Sequence, residues 1–393
     1  MVFRGGATSR SLADVIAKVR ALDKIRRLAA EPRDLVSFWQ EADAVLAETV
    51  PHYMAPCWYT LDPASLLITS HYNAQMPELP PEALALEYYD DDVNKLVDVA
   101  RSERGWSTLH EATGGDPSGS PRWRANIALG GDQELVAALR TRDGQVWGAL
   151  GLYREPGQPM FDRDECGFIA AASAQLAEGA RRGLLIGEAT DPEGPDAPGL
   201  VVVNDRWEIE STTPGVQRWL DELPDGDVAG GRLPSALLTV AARALRSAQS
   251  AGDGEASTEL AVARVLARSG SWLVLHGAVL SSTDARRVAV IVEPAHPARI
   301  APLLMAAYGL TEREQEVTRL VLTGSSTMEI ADALVVSAHT VQQHLKSVFD
   351  KTGVRSRRDL VGSVFFSHYE PRLRDNETRA AAARPLRGGP AHA

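Results

Sequence analysis

Two helix-capping boxes in the C-terminal part of the chain constrain its fold more than any other feature. In each box a hydroxyl residue comes three positions before a carboxylate residue. The two pairs are Thr311 with Glu314 and Ser326 with Glu329. In such a box each side chain accepts a hydrogen bond from the other residue's backbone N–H, so two helix starts are predicted. Apolar residues follow at helical spacing, at Val317, Leu320, Val321, Ile330, Ala331 and Leu334. Gly324 separates the two helices.

A third helix follows the second after about three residues. Ser337 can cap it, and Val341, Leu345 and Val348 form its inner apolar stripe at i, i+4 and i+7. Two short helices joined by so tight a turn must cross steeply. This arrangement predicts a helix-turn-helix.

The outer face of the third helix carries side chains suited to reading DNA. Gln342 and Gln343 can bond adenine, and Lys346 can bond guanine in the major groove. Around them stand Ser337, Thr340, His344, Lys351, Arg355, Arg357 and Arg358. The whole chain has a net charge of -11, which disfavours phosphate binding. Between Ser337 and Arg358, however, five cations face the single acid Asp350, so positive charge is concentrated where DNA would lie.

These residues resemble the LuxR-type, or NarL-type, DNA-binding domain across about fifty residues. The shared pattern is LTxREQEV, then G, EIA, L, S, TV, H, K, GVRSR and LV. The resemblance implies a four-helix module whose third helix enters the major groove. Its fourth helix, about Ser356 to His368, would help the domain to dimerise. By the same resemblance Gln342, Gln343 and Lys346 face bases. The residues expected on the DNA backbone side are Ser337, Thr340, His344, Lys351, Arg355 and Arg357.

Three positions depart from the family pattern. Gln342 stands where many relatives carry Lys, and Thr352 stands where Leu is common. Val335 occupies a turn position that is often Gly. It predicts either a turn without a positive φ or a mildly strained one.

The region before residue 190 is predicted to alternate helices and short strands. Helical spacing covers Asp34–Thr49, strands are expected at Cys57–Leu61 and Leu66–Ser70, and a long helix is expected from Asp162 to about Leu185. Between them Glu134–Arg140 and Gln145–Tyr153 form a hairpin around Asp143-Gly144. This order resembles a GAF domain, most closely over DGQVWGALGLYREPGQPMF, residues 143–161.

A second α+β region is predicted from Gly199 to Pro294. Its expected strands are Leu200–Val203, Glu208–Thr212, Glu259–Leu266, Trp272–Leu280 and Arg287–Val292. A helix with Val216, Trp219 and Leu220 follows the second strand. The order of these elements, two strands followed by helices and then three strands, resembles that of a PAS domain.

The predicted fold class is therefore multidomain α+β. GAF-like and PAS-like antiparallel-sheet sensor domains precede an all-α, four-helix LuxR-type helix-turn-helix domain. The expected boundaries are 1–190 for the GAF-like domain with flanking helices, 199–297 for the PAS-like domain, 305–370 for the DNA-binding domain and 376–393 for a disordered tail.

The sequence gives little support to a ligand cavity, a metal site, a redox switch or a phospho-acceptor domain. Core packing is favoured over a ligand cavity for Trp39, Trp58, Trp106, Trp123 and Trp147. The histidines His52, His71 and His110 lack a second metal ligand at recognisable spacing. Cys57 and Cys166 are expected to be buried rather than redox-active. The acidic run Asp90, Asp91 and Asp92 sits in a predicted loop or helix start, which disfavours a phospho-acceptor domain.

The sequence thus favours a transcriptional regulator that binds double-stranded DNA sequence-specifically. The regulator is expected to be cytoplasmic and to act as a homodimer. A small-molecule effector could bind the N-terminal domains. No cofactor, metal, membrane contact or enzymatic activity is expected. The alternative is a ligand-binding or protein-interaction adaptor whose C-terminal domain no longer reads DNA. Gln342 and the overall acidity support that alternative.

Overall fold

The structure is a computed structural model that describes residues 12–76, 81–185, 198–252, 259–280, 286–295 and 297–361. The run TDPEGPDAPG at 190–199 predicts a linker between domains. Residues 190–197 of it and the tail expected at 376–393 lie outside the described residues. The described residues divide into two compact units, one within 1–183 and 242–260, the other within 184–241 and 261–393. The sequence-based boundaries between the three expected domains stay predictions.

The first unit is built on a five-stranded antiparallel sheet of order β2-β1-β5-β4-β3. The strands are β1 (Cys57–Leu61), β2 (Ile68–Tyr72), β3 (Trp106–Thr108), β4 (Gln133–Arg140) and β5 (Val146–Arg154). The helices are α1 (Leu12–Ala30), α2 (Leu35–Thr49), α3 (Pro81–Tyr88), α4 (Leu96–Arg101), α5 (Leu109–Ala112), α6 (Pro121–Ala128) and α7 (Arg163–Gly183).

Helices α1, α2 and α7 share one hydrophobic core with the sheet. Leu135, Ala137 and Leu139 of β4 belong to this core, together with Trp39 and Trp58, whose rings stack 6.0 Å apart. Alternate residues of a strand point to opposite faces. Glu134, the residue before Leu135, therefore points away from this core and is buried in a polar cluster. Glu134 accepts hydrogen bonds from Asn94 at 2.7 Å and Tyr153 at 3.3 Å.

Arg122 is the centre of that polar cluster. Its guanidinium lies 2.6 Å from Glu87 and 3.5 Å from Glu134, and all three side chains are buried. Buried charges are tolerated when they are paired and hydrogen-bonded in this way. The cluster therefore ties α3 and α6 to the first residues of β4.

The second unit contains a second five-stranded antiparallel sheet of order β7-β6-β10-β9-β8. Counted from its own first strand, each sheet has the order 2-1-5-4-3. The strands are β6 (Gly199–Val203), β7 (Ile209–Thr212), β8 (Val262–Leu266), β9 (Trp272–Leu280) and β10 (Arg287–Pro294), and the helices are α8 (Val216–Asp221), α9 (Ser235–Gly252) and α10 (Pro297–Ala307). Helix α9 belongs to the second unit only up to residue 241, and the rest of it belongs to the first unit. The predicted succession of two strands, helices and three strands is confirmed. The attribution to PAS stays a prediction.

A helical cluster completes the second unit. Its helices are α11 (Glu312–Leu322), α12 (Thr327–Leu334) and α13 (Ala338–Thr352). Their core consists of the inward residues expected from the sequence, including Val317, Ile330, Val341 and Leu345, and Met305 of α10 joins it. The predicted multidomain α+β class is thereby confirmed.

Two of the predicted strand starts are wrong by two or more residues. The second strand begins at Ile68 rather than Leu66, because Leu66 takes a positive φ of 57° in the preceding turn. Strand β8 begins at Val262 rather than Glu259. The acidic run at Asp90 to Asp92 lies in the loop between α3 and α4, as expected.

Candidate nucleic-acid interface

Helix α13 is capped at both ends by its own sequence. The Ser337 hydroxyl accepts a hydrogen bond from the Thr340 amide at 3.0 Å, and Gly353 ends the helix with a φ of 73°. Val341, Leu345 and Val348 are buried, as their spacing predicted. The opposite face of the helix is consequently turned to solvent.

The three residues expected to face bases lie on that solvent face. Gln342, Gln343 and Lys346 are all exposed. The Gln342 amide donates a 3.2 Å hydrogen bond to the Thr327 hydroxyl at the start of α12. The structure therefore brings the three side chains together on one accessible helix surface.

His339 belongs to the same surface and was missed by the sequence reasoning. It is exposed in the first turn of α13, and its Nε2 lies 3.1 Å from the Gln343 amide nitrogen. Recognition helices contact base edges mainly through their N-terminal residues. The i, i+4 spacing from Gln343 was the signal available in the sequence.

Glu314 of α11 holds α13 in place from behind. One carboxylate oxygen accepts from the Ser347 hydroxyl at 2.6 Å, and the other accepts from the Lys351 ammonium at 2.6 Å. The second oxygen also accepts from the Thr311 amide at 2.7 Å, which completes the predicted capping box. One buried carboxylate thus serves a helix start and two residues of the neighbouring helix.

The pKa of Glu314 lies below its ordinary value. Burial is the largest single influence and acts to raise the pKa of this carboxyl, but the hydrogen bonds from Lys351, Ser347 and Thr311 together outweigh it. The charged form is therefore the one that the folded domain stabilises.

Arg357 and Arg313 make two further ties within the helical cluster. Arg357 donates to the Ser325 carbonyl at 2.8 Å and to the Thr327 hydroxyl at 2.9 Å. Arg313 donates to the Leu334 carbonyl at 2.6 Å, at the C-terminus of α12. Lys351 and Arg357, both expected on the DNA backbone side, are thus engaged in bonds inside the domain.

The remaining residues expected on the backbone side are distributed around α13. Ser337 and Arg355 are exposed, and Thr340 and His344 are half-buried. The second capping box is also present, with the Ser326 amide bonded to the Glu329 carboxylate at 2.6 Å. After α13, residues 357–361 are helical, and the rest of the expected fourth helix lies outside the described residues.

The turn between α12 and α13 is strained at Val335. This residue ends α12 with φ 53° and ψ 50°, in the left-handed region, and its side chain is 90% exposed. Of the two turns that the sequence left open, the strained one is present. A β-branched side chain is disfavoured in this conformation.

Helices α12 and α13 and the turn between them form a helix-turn-helix. Helix α13 is capped, exposed on one face and held by Glu314 on the other, as the recognition helix of such a DNA-binding domain must be. Residues 309–364 match the family described as "Bacterial regulatory proteins, luxR family". The C-terminal domain is therefore a LuxR-type DNA-binding domain, as the sequence resemblance implied.

Solved structures similar to part of the chain include two GAF proteins and one VqmA complex. A putative GAF sensor protein from Burkholderia vietnamiensis is 15% identical, with 43% of this chain and 97% of that chain covered and a TM-score of 0.31. The phycoerythrobilin-bound GAF domain of a cyanobacterial phytochrome is 18% identical, covering 44% and 97% at a TM-score of 0.29. The Vibrio cholera VqmA–ligand–DNA complex is 15% identical, covering 45% and 87% at a TM-score of 0.20.

The first unit contains a cavity of about 420 Å³ beside strand β3. Trp106, Met160 and Phe161 line it with apolar surface, and His110 and Arg163 also line it. Of the five tryptophans, Trp39, Trp58 and Trp147 are buried, as core packing predicted. Trp106 and Trp123 are only half-buried. Trp106 lies at the cavity, and the indole N–H of Trp123 donates a 2.9 Å hydrogen bond to Asp132.

The two cysteines are buried in the first unit. Burial raises the pKa of both the Cys57 and the Cys166 thiol to about 11, so neither is a thiolate at neutral pH. His52 lies 3.2 Å from Asp43 and 2.7 Å from the Val50 carbonyl. Within the part of the chain that the structure describes, no group of three or more His, Cys, Asp or Glu residues could hold a metal ion.

None of the helices in the described ranges combines the length and the apolar character that a membrane crossing needs.

Proposed function

We propose that this chain is a sequence-specific transcriptional regulator that inserts α13 into the major groove of double-stranded DNA. The observation that carries the proposal is the joint exposure of Gln342, Gln343 and Lys346 on a helix supported from behind by Glu314. Glutamine can bond adenine through two hydrogen bonds, and lysine can bond guanine O6 and N7. Together with His339 these side chains would read the sequence.

The cations that surround this face would contact phosphates. Arg355 and Arg358 are exposed and available for that role. Lys351 and Arg357 are bonded within the domain, and their part would be to fix α13 as well as to attract the DNA backbone. Ser337, Thr340 and His344 complete the set proposed for the backbone side.

The regulator would act as a homodimer. Two recognition helices spaced by one DNA turn, about 34 Å, would bind two half-sites. A signal received by the regions that precede the DNA-binding domain would favour the arrangement with this spacing. The cavity at Trp106 supports an effector site, since its volume falls in the range typical of small-molecule pockets.

The direct test is binding of the purified full chain to fragments of its source genome in gel-shift and footprinting experiments. Once a site is found, Lys346→Ala should weaken discrimination by about 1–3 kcal/mol at one base position. Arg319→Ala is the matched control, because it removes an exposed cation from α11 instead. Failure of the wild type to bind any fragment at low salt would refute the proposal.

The alternative, an adaptor that no longer reads DNA, gives a different result. Lys346→Ala would then have no effect on any DNA interaction, and binding would show no sequence preference. Native mass spectrometry of the full chain would test the effector site, because a bound small molecule adds its mass to the protein.

A further inference from the structure

The cavity beside strand β3 has an apolar wall that contains two aromatic rings. Trp106, Met160 and Phe161 form this wall. The guanidinium of Arg104 lies over the Trp106 ring, 3.2 Å from its centre. Met160 is 55% exposed, and its flexible thioether can adapt to the shape of a ligand. Aromatic rings gain additional energy from packing against other rings, so this wall favours a ligand that carries a planar ring.

The two acids that line the cavity are both engaged by cations of the protein. Glu134 is buried and paired with Arg122 in the polar cluster. Glu111 accepts hydrogen bonds from both terminal nitrogens of Arg104, at 3.0 and 2.7 Å. These bonds lower the pKa of the Glu111 carboxyl, and the nearby charge of Arg163 acts in the same direction. Neither acid therefore leaves the cavity with an excess of negative charge that would attract a cation.

Two hydrogen-bond donors of the lining are not engaged in this way. Arg163, the first residue of α7, is exposed, and His110 of α5 is half-buried. Among the residues in the described ranges, neither the Arg163 guanidinium nor the His110 ring has a hydrogen-bond or ion-pair partner. A guanidinium pairs with a carboxylate through two parallel hydrogen bonds, and an imidazole can donate one more. The cavity thus combines an apolar wall with donors suited to an anion.

We propose that this cavity binds an aromatic carboxylate, with its ring against Trp106 and Phe161 and its carboxylate bonded by Arg163 and His110. The proposal rests on the effector site of the proposed function and names the chemical class of its ligand. A small inorganic anion would leave the apolar wall unused, and a neutral ring would leave the Arg163 charge without a partner. The volume of about 420 Å³ lies near the lower end of the range for small-molecule pockets, which suits a ligand of one or two rings.

The first test is isothermal titration calorimetry of the purified full chain with 2-naphthoate as the probe. Three comparison compounds each lack one feature of this probe. 2-Naphthalenemethanol lacks the charge, decahydro-2-naphthoate lacks the aromatic rings, and inorganic phosphate lacks the apolar body. 2-Naphthoate should bind about ten-fold or more tightly than the alcohol and phosphate, because a hydrogen bond to a charged group and the ring contacts both contribute. It should bind about three-fold more tightly than the saturated acid.

Three variants test the assignment of the charged residues. Arg163→Gln should weaken 2-naphthoate binding by about ten-fold and leave binding of the alcohol unchanged. Glu111→Gln should strengthen 2-naphthoate binding by about two-fold or more, because it removes a negative charge from the cavity. Arg142→Gln is the matched control, since Arg142 is an exposed cation of the β4–β5 turn that does not line the cavity. All three positions are exposed, and circular dichroism establishes that each variant is folded.

Several results would overturn the proposal. They are a wild type that does not bind 2-naphthoate, equal affinity for 2-naphthoate and the alcohol, and an Arg163→Gln variant that binds 2-naphthoate like the wild type. Binding of phosphate as tight as that of 2-naphthoate would also overturn it, because the apolar wall would then play no part.

Failure of the ligand class can be distinguished from failure of the proposed function. A neutral small molecule that stays bound in native mass spectra and is not displaced by 2-naphthoate would keep an effector site but overturn the carboxylate class. DNA binding is measured by gel shift without any added acid. Its failure would leave the titrations unaffected.

Discussion

The ammonium of Lys351 lies 2.6 Å from a carboxylate oxygen of Glu314, and this contact joins the last turn of α13 to the first turn of α11. The same carboxylate caps α11 and accepts from Ser347. The orientation of the proposed recognition helix therefore depends on one buried acid that lies outside it. Side chains that position a binding surface in this way are as important to it as the side chains that touch the ligand.

Replacing Glu314 with Gln should lower the free energy of unfolding of the C-terminal domain by about 1–2 kcal/mol. The change keeps the shape of the side chain but removes the charge that Lys351 and Ser347 bond to. The Lys351 side chain is 34% exposed and can be solvated, which limits the loss. Urea denaturation of the full chain, followed by circular dichroism, measures it. Glu312→Gln, at an exposed position of the same helix, is the control.

Acid should weaken the same contact. Because the pKa of Glu314 is lowered by folding, its stabilising contribution is complete above the ordinary carboxyl pKa of 4.5. The contribution is lost as the pH falls through the lower pKa of the folded state. The Glu314→Gln variant should therefore lose less stability than the wild type between pH 5 and the acid limit of folding. Equal losses in both proteins would contradict this assignment.

Val335→Gly should stabilise the helix-turn-helix by about 1 kcal/mol. A non-glycine residue in the left-handed region costs about 1–2 kcal/mol, and glycine removes that strain, although its greater freedom in the unfolded chain offsets part of the gain. The Val335 side chain is 90% exposed, so little packing is lost. Ala333→Gly, two residues earlier inside α12, should instead destabilise the domain by about 1 kcal/mol. Thermal melting of both variants compares them directly.

The sequence predicted the helical domain well because its signals are local. Both capping boxes, the apolar stripe of α13 and the exposure of Lys346 follow from spacing within one helix. The double use of Glu314 could not be predicted, since Ser347 and Lys351 lie on another helix and meet it only in the tertiary fold. The turn position of Val335 departs from the family pattern, but the sequence left open whether its φ is positive. The three-residue strand β3 was too short to give a period of its own.

Acidification should also destabilise the first unit, through His71. Burial lowers the pKa of this imidazole from 6.5 to about 4. Between these values the unfolded chain binds a proton that the folded chain does not, so stability falls with falling pH by up to about 1.4 kcal/mol per pH unit. Denaturation of the wild type and of His71→Gln at pH 7, 6 and 5 measures how the free energy of unfolding of each protein depends on pH. The variant should lose less stability than the wild type over this range. A control, His344→Gln in α13, should retain the wild-type slope in the first unit.

Two glycines of α7 should respond in opposite directions to the same substitution. A Cβ added at Gly179 would overlap the ring of Phe38, whereas nothing lies within 4 Å of one added at Gly167. Phe38 is 1% exposed and packed in the core that α1, α2 and α7 share, so its ring has little room to move. Gly167→Ala should stabilise the first unit by about 1 kcal/mol, because alanine is the better helix former.

Gly179→Ala gains the same helix propensity but must also displace the Phe38 ring, and overpacking of a core costs about 1–3 kcal/mol. The difference between the two variants in urea denaturation therefore isolates the steric cost of this contact. If Gly179→Ala proved as stable as Gly167→Ala, α2 and α7 would not approach each other as closely as Phe38 and Gly179 do in this structure.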